Sequence, residues 1–264
     1  MDHDQDLALA LRLADAADAI SMRYFLDVDL AVEHKPDSTP VTMADRGVET
    51  AIREILAAER PDDAVVGEEF GSVGEARRRW IVDPVDGTKN YIRGVPVWAT
   101  LIALQVDGIG TVGAVSAPAL GRRWWAHSGG GAFADGRRIT VSDISELADA
   151  SLSYSSLSGW ESSGHLDGFL ELTRAVWRTR GFGDFWSYML VAEGAVDIAA
   201  EPEVSLWDLA ALQVIVEEAG GRFSDLHGIR TADGGSALAT NGALHNRTLT
   251  LLRDRRNESS PSGP

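Results

Sequence analysis

The spacing of apolar residues in the first half of the chain predicts helices followed by consecutive strands. Apolar side chains recur every three or four positions between residues 7 and 25, as in an amphipathic helix. A second helix is predicted at 44–58, with Thr42 as its N-cap and Asp45 three positions later in capping-box spacing. Helices that precede a series of strands are typical of an α+β fold. The strand-like runs lie at 64–67, 80–83, 97–105, 110–115 and 123–127.

The second half of the chain alternates between the two patterns. Strand-like runs at 151–155, 196–200 and 235–239 are interleaved with helical runs at 166–174, 185–193 and 207–219. This alternation predicts an α/β arrangement. We therefore expect an N-terminal α+β domain of residues 1–141 and a C-terminal α/β domain of residues 142–252. Residues 253–264 are too polar to offset their ordering entropy, so a disordered tail is predicted.

Composition and charge narrow the classes of function. The chain has 264 residues, of which 44% are hydrophobic and 24% charged, so it can bury a core. A formal charge of −16 repels phosphate backbones, and the basic run Arg77-Arg78-Arg79 is short, so no nucleic-acid partner is expected. The absence of cysteine excludes disulfides and thiolate metal sites. No apolar run reaches the roughly 18 residues of a membrane span, and the N-terminus is acidic, which favours a cytoplasmic protein without membrane association.

The densest chemical signal is an apolar strand that ends in two carboxylates, Asp83 and Asp86. A sharp turn at Gly87 can aim both carboxylates and the Val85 carbonyl into one space and leave the amides of Gly87 and Thr88 free. Hard divalent cations prefer such oxygen ligands, and free amides at a helix start bind phosphate. The alternative is a capped turn in which Asp86 binds its own backbone.

Three further segments place carboxylates where an apolar element begins or ends. Glu68 and Glu69 end a short strand, Asp45 begins a helix, and Asp208 begins another. Each residue alone is explained equally well by helix capping or by a solvated turn. Together the four segments form the pattern expected for a site with two or more Mg²⁺ ions.

These segments resemble the motifs of the inositol monophosphatase family. Asp83-Pro84-Val85-Asp86-Gly87-Thr88 resembles its first signature, and Trp207-Asp208-Leu209-Ala210-Ala211 with Glu218-Ala219-Gly220-Gly221 its second. Pro40-Val41-Thr42-Met43-Ala44-Asp45 and Gly67-Glu68-Glu69 are similar to two further family segments, in the same order. The resemblance implies a layered α/β/α/β/α sandwich that hydrolyses small phosphate monoesters with Mg²⁺. It also implies a homodimer.

The resemblance assigns ligands for two or three Mg²⁺ ions. One ion would lie between Glu68, Asp83 and the Val85 carbonyl. A second would lie among Asp83, Asp86 and Asp208, and a third, looser one would use Glu68 with water. This assignment agrees with the chemistry of the residues, since metal ions can acidify water and stabilise both oxygens of an in-line displacement.

The resemblance also assigns the catalytic and phosphate-binding groups. Asp45 and Thr88 match the pair that orients and deprotonates the attacking water, and Glu68 completes the expected catalytic set. Gly87 and Thr88 are the expected phosphate contacts.

The segment at 178–188 departs from inositol-type members, because an acid followed by aromatic residues replaces small residues. It is similar to the histidinol-phosphate phosphatases of the family. Asp184 and Glu201 could pair with the ammonium and imidazole of histidinol, and Trp186 could cover its ring. Alternatively, Asp184 caps a helix and Trp186 is a core residue. We expect histidinol phosphate as the substrate, with inositol 1-phosphate or another small phosphomonoester or bisphosphate as the alternative.

Other classes fit the sequence less well. A haloacid-dehalogenase phosphatase spaces its aspartates by two before Gly-Thr, and Asp27-Val28-Asp29 lacks that Gly-Thr. The histidines have no HExxH spacing for zinc. The glycine-rich segment 129–136 is predicted as a β-turn, because Asp135-Gly136 follows where a dinucleotide fingerprint needs a helix. A non-catalytic metal- or phosphate-binding regulatory homologue stays open, because a sequence cannot demonstrate turnover.

Overall fold

The computed structural model describes residues 3–27, 31–34 and 40–252. The predicted tail at 253–264, the first two residues and part of the Asp27-Val28-Asp29 segment lie outside the described residues. The helices are α1 (His3–Tyr24), α2 (Met43–Glu59), α3 (Thr88–Tyr91), α4 (Ser158–Ser162), α5 (Leu166–Ala175), α6 (Asp184–Ala192), α7 (Leu206–Glu218) and α8 (His245–Leu252). The strands are β1 (Val32–His34), β2 (Pro40–Thr42), β3 (Ala64–Gly67), β4 (Gly71–Val73), β5 (Arg78–Asp86), β6 (Ala99–Val106), β7 (Ile109–Ala117), β8 (Arg122–His127), β9 (Gly131–Ala134), β10 (Arg137–Ile139), β11 (Ser151–Ser153), β12 (Arg178–Arg180), β13 (Ile198–Glu201), β14 (Arg222–Ser224) and β15 (Ala237–Thr240).

Two sheets and three groups of helices form five layers. The first sheet has the order β10-β9-β8-β7-β6-β5-β3-β4, and the second has the order β12-β11-β13-β15-β14. Helices α1 and α2 cover one face of the first sheet, and α6 and α7 lie between the two sheets. Helices α4, α5 and α8 cover the outer face of the second sheet. This arrangement confirms the predicted α/β/α/β/α sandwich.

Helix α7 occupies the middle layer because it is apolar on every side. All its residues from 209 to 216 are buried, as expected for a helix between two sheets. Gly113 on β7 allows the helix backbone to approach closely, since a Cβ there would lie 2.5 Å from the Ala211 carbonyl oxygen. This contact sets the distance between α7 and the first sheet. It thereby also sets the position of Asp208, which lies in the first turn of α7.

The two-residue repeat of the strands decides which face their last residues occupy. On β5, Val82 packs with α1 and α2, whereas Ile81 packs toward α6 and α7. Asp83 therefore lies on the α6 and α7 side. On β13, Ala200 packs in the outer core, so Glu201 faces the middle layer as well.

Every helix and strand predicted from the spacing is present, with ends displaced by up to four residues. The capping box of α2 is confirmed, because Thr42 and Asp45 bond each other's backbone N–H groups. The turn predicted at 129–136 is wrong in its middle, where β9 pairs with β8 and β10. The alternate residues Ala132 and Ala134 are buried there against the sheet. The gap between β10 and β11 lies near the predicted domain boundary, and the division into two domains stays a prediction.

The basic run at 77–79 pairs with acids of the same chain. Arg77 makes two hydrogen bonds to Asp107, at 2.8 and 2.5 Å, and Arg78 bonds both Asp6 and Asp63. Much of the positive charge of this run is therefore compensated internally. Across the described part of the chain, no helix combines the length and apolarity needed to cross a membrane.

Candidate active site

Three aspartates from two distant segments meet at the inner edge of the first sheet. β5 supplies Asp83 and Asp86, and the pairing of β5 with β6 is irregular between them. α7 supplies Asp208. One carboxylate oxygen from each residue lies within 4.8 Å of the others. The structure thus brings together three of the predicted metal ligands.

Hydrogen bonds to the backbone orient each of these carboxylates. Asp83 Oδ1 accepts from the Val85 amide at 3.0 Å, and Asp208 Oδ2 accepts from the Ser205 amide at 2.7 Å. Asp86 Oδ2 accepts from the Phe185 amide at 2.9 Å, in the first turn of α6. Asp86 thus connects the two halves of the chain. A local capped turn, in which Asp86 would bind its own backbone, does not explain this long-range contact.

A cavity of about 290 Å³ opens beside this cluster. Among the described residues, the carboxylates that line it outnumber its single cationic side chain, Lys89. These carboxylates are Glu68, Asp86, Asp184, Glu201, Glu203 and Asp208. Gly87 and Thr88 also line the cavity, whereas Asp83 is buried beside it. Three of the predicted metal ligands and both predicted phosphate contacts therefore face one space.

The predicted water-activating pair is in contact. The Asp45 side chain is fully buried, and its Oδ2 accepts from the amide of Thr42 at 2.8 Å and from the hydroxyl of Thr42 at 2.5 Å. Its Oδ1 lies 3.3 Å from Thr88 Oγ1, which is 2.9 Å from the Val85 carbonyl oxygen. Because a threonine hydroxyl has one proton, it donates to one of these two acceptors at a time. Thr88 therefore links the expected base to an expected metal ligand.

The pKa values of the clustered carboxyls are all raised. Burial, followed by the charges of Glu68 and Asp86, raises the pKa of Asp83 well above its usual range. Burial and the charges of Asp184 and Asp208 do the same for Asp86. Burial is also the largest cause that raises the pKa of Asp208 to about 6. The site concentrates negative charge, and its oxygen donors fit a hard divalent cation such as Mg²⁺.

Asp184 and Glu201 share a hydrogen-bonded network on another wall of the cavity. The Asp184 amide donates to Ser155 Oγ at 2.9 Å, and the same hydroxyl donates to Glu201 Oε1. Tyr188 Oη donates to Glu201 Oε2 at 2.6 Å. Asp184 does not cap its helix; its Oδ2 instead accepts from Asn90 Nδ2 at 3.0 Å. Burial raises the pKa of Glu201 to about 7.

Asp184 adopts a backbone conformation that residues other than glycine rarely adopt. Its φ is 49°, in the left-handed region. Strain of this kind persists where surrounding contacts enforce it, and it is frequent at ligand sites. Here the enforced conformation keeps Asp184 in the wall of the cavity.

Among the predicted substrate contacts, all of which lie in the described residues, Trp186 is the one that does not line the cavity. Its ring packs against Phe182, with 5.4 Å between centroids. The aromatic side chains of the wall are instead Phe185 and Tyr188. Tyr188 follows Asp184 by one helical turn, a spacing that could have identified it, whereas Ser155 carries no signal in the sequence.

The five-layer fold and the carboxylate cluster define a metal-dependent phosphatase. The chain belongs to the inositol monophosphatase family, whose model matches residues 2–257. It is 60% identical over 258 residues to a histidinol-phosphatase of Mycobacterium tuberculosis, across 96% of this chain and 99% of that protein. It is 58% identical over 263 residues to a histidinol-phosphatase of Streptomyces coelicolor, across 96% and 99%.

A solved structure supports the same family assignment. An inositol monophosphatase from Zymomonas mobilis superposes with a TM-score of 0.86 at 33% sequence identity, over 96% of this chain and 99% of that one. The family resemblance, the layered fold and the phosphomonoesterase class predicted from the motifs are therefore confirmed.

Proposed function

We propose that the chain hydrolyses histidinol phosphate to histidinol and inorganic phosphate, as a step of histidine biosynthesis. The observation that carries this proposal is the position of Asp184 and Glu201, which line the same cavity as three of the predicted metal ligands. An alcohol with an ammonium and an imidazole can pair with both carboxylates, whereas a neutral polyol gains nothing from their charge. The names of the two bacterial relatives support the same substrate.

We propose that the site binds two or three Mg²⁺ ions. Glu68, Asp83 and the Val85 carbonyl would hold one ion, and Asp83, Asp86 and Asp208 a second. A third would use Glu68 with water. When bound, Mg²⁺ acidifies water and offsets the negative charge of the phosphate. The oxygen-only donor set and the raised pKa of Asp83 support a divalent cation here.

The residues of the chain would orient the water and the ester. Thr88 would orient the attacking water, and its hydroxyl would pass a proton on to the buried Asp45, whose Oδ1 lies 3.3 Å away. Burial raises the pKa of Asp45, which makes this carboxylate a stronger base than an exposed one. Gly87, with φ of 82°, precedes the single turn of α3, and the amides that begin a helix have no partner inside it. The amides of Gly87 and Thr88 are therefore suited to the phosphate oxygens.

A phosphate-release panel with Mg²⁺ tests the proposal. The esters are histidinol phosphate, inositol 1-phosphate, fructose 1,6-bisphosphate and adenosine 3′,5′-bisphosphate, each with and without a chelator. We expect the highest kcat/KM for histidinol phosphate and no turnover under chelation. A preference for inositol 1-phosphate would overturn the substrate but leave the phosphatase. Metal binding without turnover of any ester would favour a non-catalytic regulatory homologue.

The homodimer implied by the family and the cytoplasmic location expected from the sequence remain part of this proposal. Sedimentation of the purified chain tests the first, and cell fractionation tests the second. A monomer at working concentration would contradict the dimer without affecting the chemistry.

A further inference from the structure

Glu49 is a fully buried carboxylate on α2, one helical turn beyond Asp45. It contacts the turn between β3 and β4, at whose start Glu68 lies. Glu49 Oε2 accepts from the amide of Glu69 at 2.7 Å, and Oε1 accepts from the amide of Phe70 at 3.2 Å. Glu49 therefore binds two successive N–H groups directly after Glu68.

Arg53, one further turn along α2, completes the connection. Its Nε donates to Glu49 Oε1 at 2.8 Å, which compensates the buried charge. Its Nη2 donates to the Gly71 carbonyl oxygen at 2.5 Å, at the far end of the same turn. Glu49 and Arg53 thus tie both ends of the turn to one face of α2.

Gly67 explains how the carboxylate reaches this position. A Cβ at residue 67 would lie 2.0 Å from Glu49 Oε1 and 2.3 Å from its Cδ. The glycine is required here by the space that Glu49 occupies. The Gly67-Glu68-Glu69 segment is therefore built around the Glu49 side chain.

We infer that Glu49 is a positioning residue that sets Glu68 relative to Asp45. This inference rests on the proposed function, in which Glu68 holds Mg²⁺ and Asp45 receives a proton through Thr88. Asp45 belongs to α2 directly, and Glu68 is attached to the same helix through Glu49. Helix α2 then fixes the position of the proposed base, Asp45, relative to the proposed metal ligand, Glu68. Glu49 itself contacts neither the metal nor the substrate.

Substitution Glu49→Gln tests the inference with little change in shape. The glutamine amide turns an N–H donor toward a backbone N–H or toward Arg53, and the ion pair is lost. Losing a charged hydrogen bond corresponds to about a tenfold to hundredfold effect, so the Mg²⁺ dissociation constant should rise by about that factor. Titration calorimetry without substrate measures it. Glu54→Gln, an exposed change on the same helix, is the matched control and should stay within about twofold of wild type.

Kinetics should change in the same pattern. The kcat of Glu49→Gln should fall most at limiting Mg²⁺ and recover partly when Mg²⁺ is raised, while KM for the ester changes little. A variant with a lower melting temperature but wild-type Mg²⁺ affinity and kcat would reduce Glu49 to a structural role and overturn the inference.

A double-mutant cycle with Glu68→Gln separates this inference from the proposed function. If Glu49 acts through Glu68, adding Glu49→Gln to Glu68→Gln should cost little further Mg²⁺ affinity. Fully additive losses would refute the positioning role alone. Wild-type Mg²⁺ affinity in Glu68→Gln itself would instead remove Glu68 from the metal site and refute that part of the proposed function.

Should Glu49→Gln fail to fold, Gly67→Ala breaks the same contact from the other side. The added Cβ would clash with the Glu49 carboxylate, so this variant displaces the carboxylate from the amides of Glu69 and Phe70. Weaker Mg²⁺ binding is again expected, and unchanged binding would overturn the inference.

Discussion

Replacement of Glu201 by glutamine separates substrate recognition from chemistry. The carboxylate is buried at the end of β13, where its oxygens accept hydrogen bonds from Ser155 and Tyr188. Glutamine can keep both contacts, because its oxygen accepts from one hydroxyl and its NH₂ donates to the other. The substitution therefore removes a charge at nearly constant shape.

The size of the effect follows from burial. A hydrogen bond to a charged group is worth about 1.5–3 kcal/mol, and about 1.4 kcal/mol is a factor of ten. We therefore expect kcat/KM for histidinol phosphate to fall by about tenfold to hundredfold in Glu201→Gln. The neutral ester glycerol 2-phosphate should barely respond, since it uses the same metal ions but has no cation.

The assay is phosphate release with both esters at fixed Mg²⁺. Glu203→Gln is the control, because Glu203 lines the same cavity but is exposed. Burial raises the pKa of Glu201 to about 7, so protonation removes the wild-type charge as pH falls. The difference between wild type and Glu201→Gln should therefore be smaller at about pH 6 than at about pH 8.

Two results would refute this reasoning. Equal losses on both esters would place Glu201 in support of the metal site. A pH-independent difference between wild type and Glu201→Gln would show that the carboxylate does not titrate in this range.

Three further predictions concern the metal site. Asp83→Asn or Asp208→Asn should cut turnover by orders of magnitude at limiting Mg²⁺ with an unchanged circular dichroism spectrum; near-wild-type phosphate release would contradict the shared-metal assignment. Thr88→Ala should lower kcat far more than it changes KM, the signature of a contact made in the transition state, and an effect on KM alone would reassign Thr88 to binding. In the chelated protein, Glu201 and Asp208 have pKa values of about 7 and about 6, above their unfolded values, so the folded state binds extra protons. Its melting temperature should therefore fall as pH rises from about 4 to about 7 and recover with added Mg²⁺; a rise with pH under chelation would contradict the raised pKa values.

The carboxylate cluster proposed to bind metal could be predicted because its members lie near the ends of strongly apolar elements. Asp83 and Asp86 lie in the last four residues of the buried strand β5, and Asp208 lies in the first turn of the buried helix α7. Long apolar runs fix where an element ends, and in a layered fold such ends converge. Predicting that these particular ends converge required the family motifs, because the spacing of apolar residues does not show which strand and helix ends lie close together.

Other parts of the site leave little trace in the sequence. Helical spacing from Ile52 puts Glu49 on the buried face of α2, where a carboxylate is unusual. Only the three-dimensional contact with the Glu69 amide reveals what this carboxylate binds. Helical spacing places Trp186 and Tyr188 in one helix but does not decide which of them borders a cavity. The three-residue strands, such as β12 and β14, are too short to show a period.

The hydrogen bond from the Phe185 amide to Asp86 has a thermodynamic consequence. It joins a proposed metal ligand to the start of α6, where Asp184 contributes to the wall that would receive the alcohol. A shift of Asp86 on binding of the proposed ion would be transmitted to that wall through this hydrogen bond. Coupling between two bound species is reciprocal, so any factor by which the proposed Mg²⁺ strengthened binding of histidinol would be the factor by which histidinol strengthened binding of Mg²⁺. In cells where free Mg²⁺ is scarce, the alcohol product would then slow the loss of the ion.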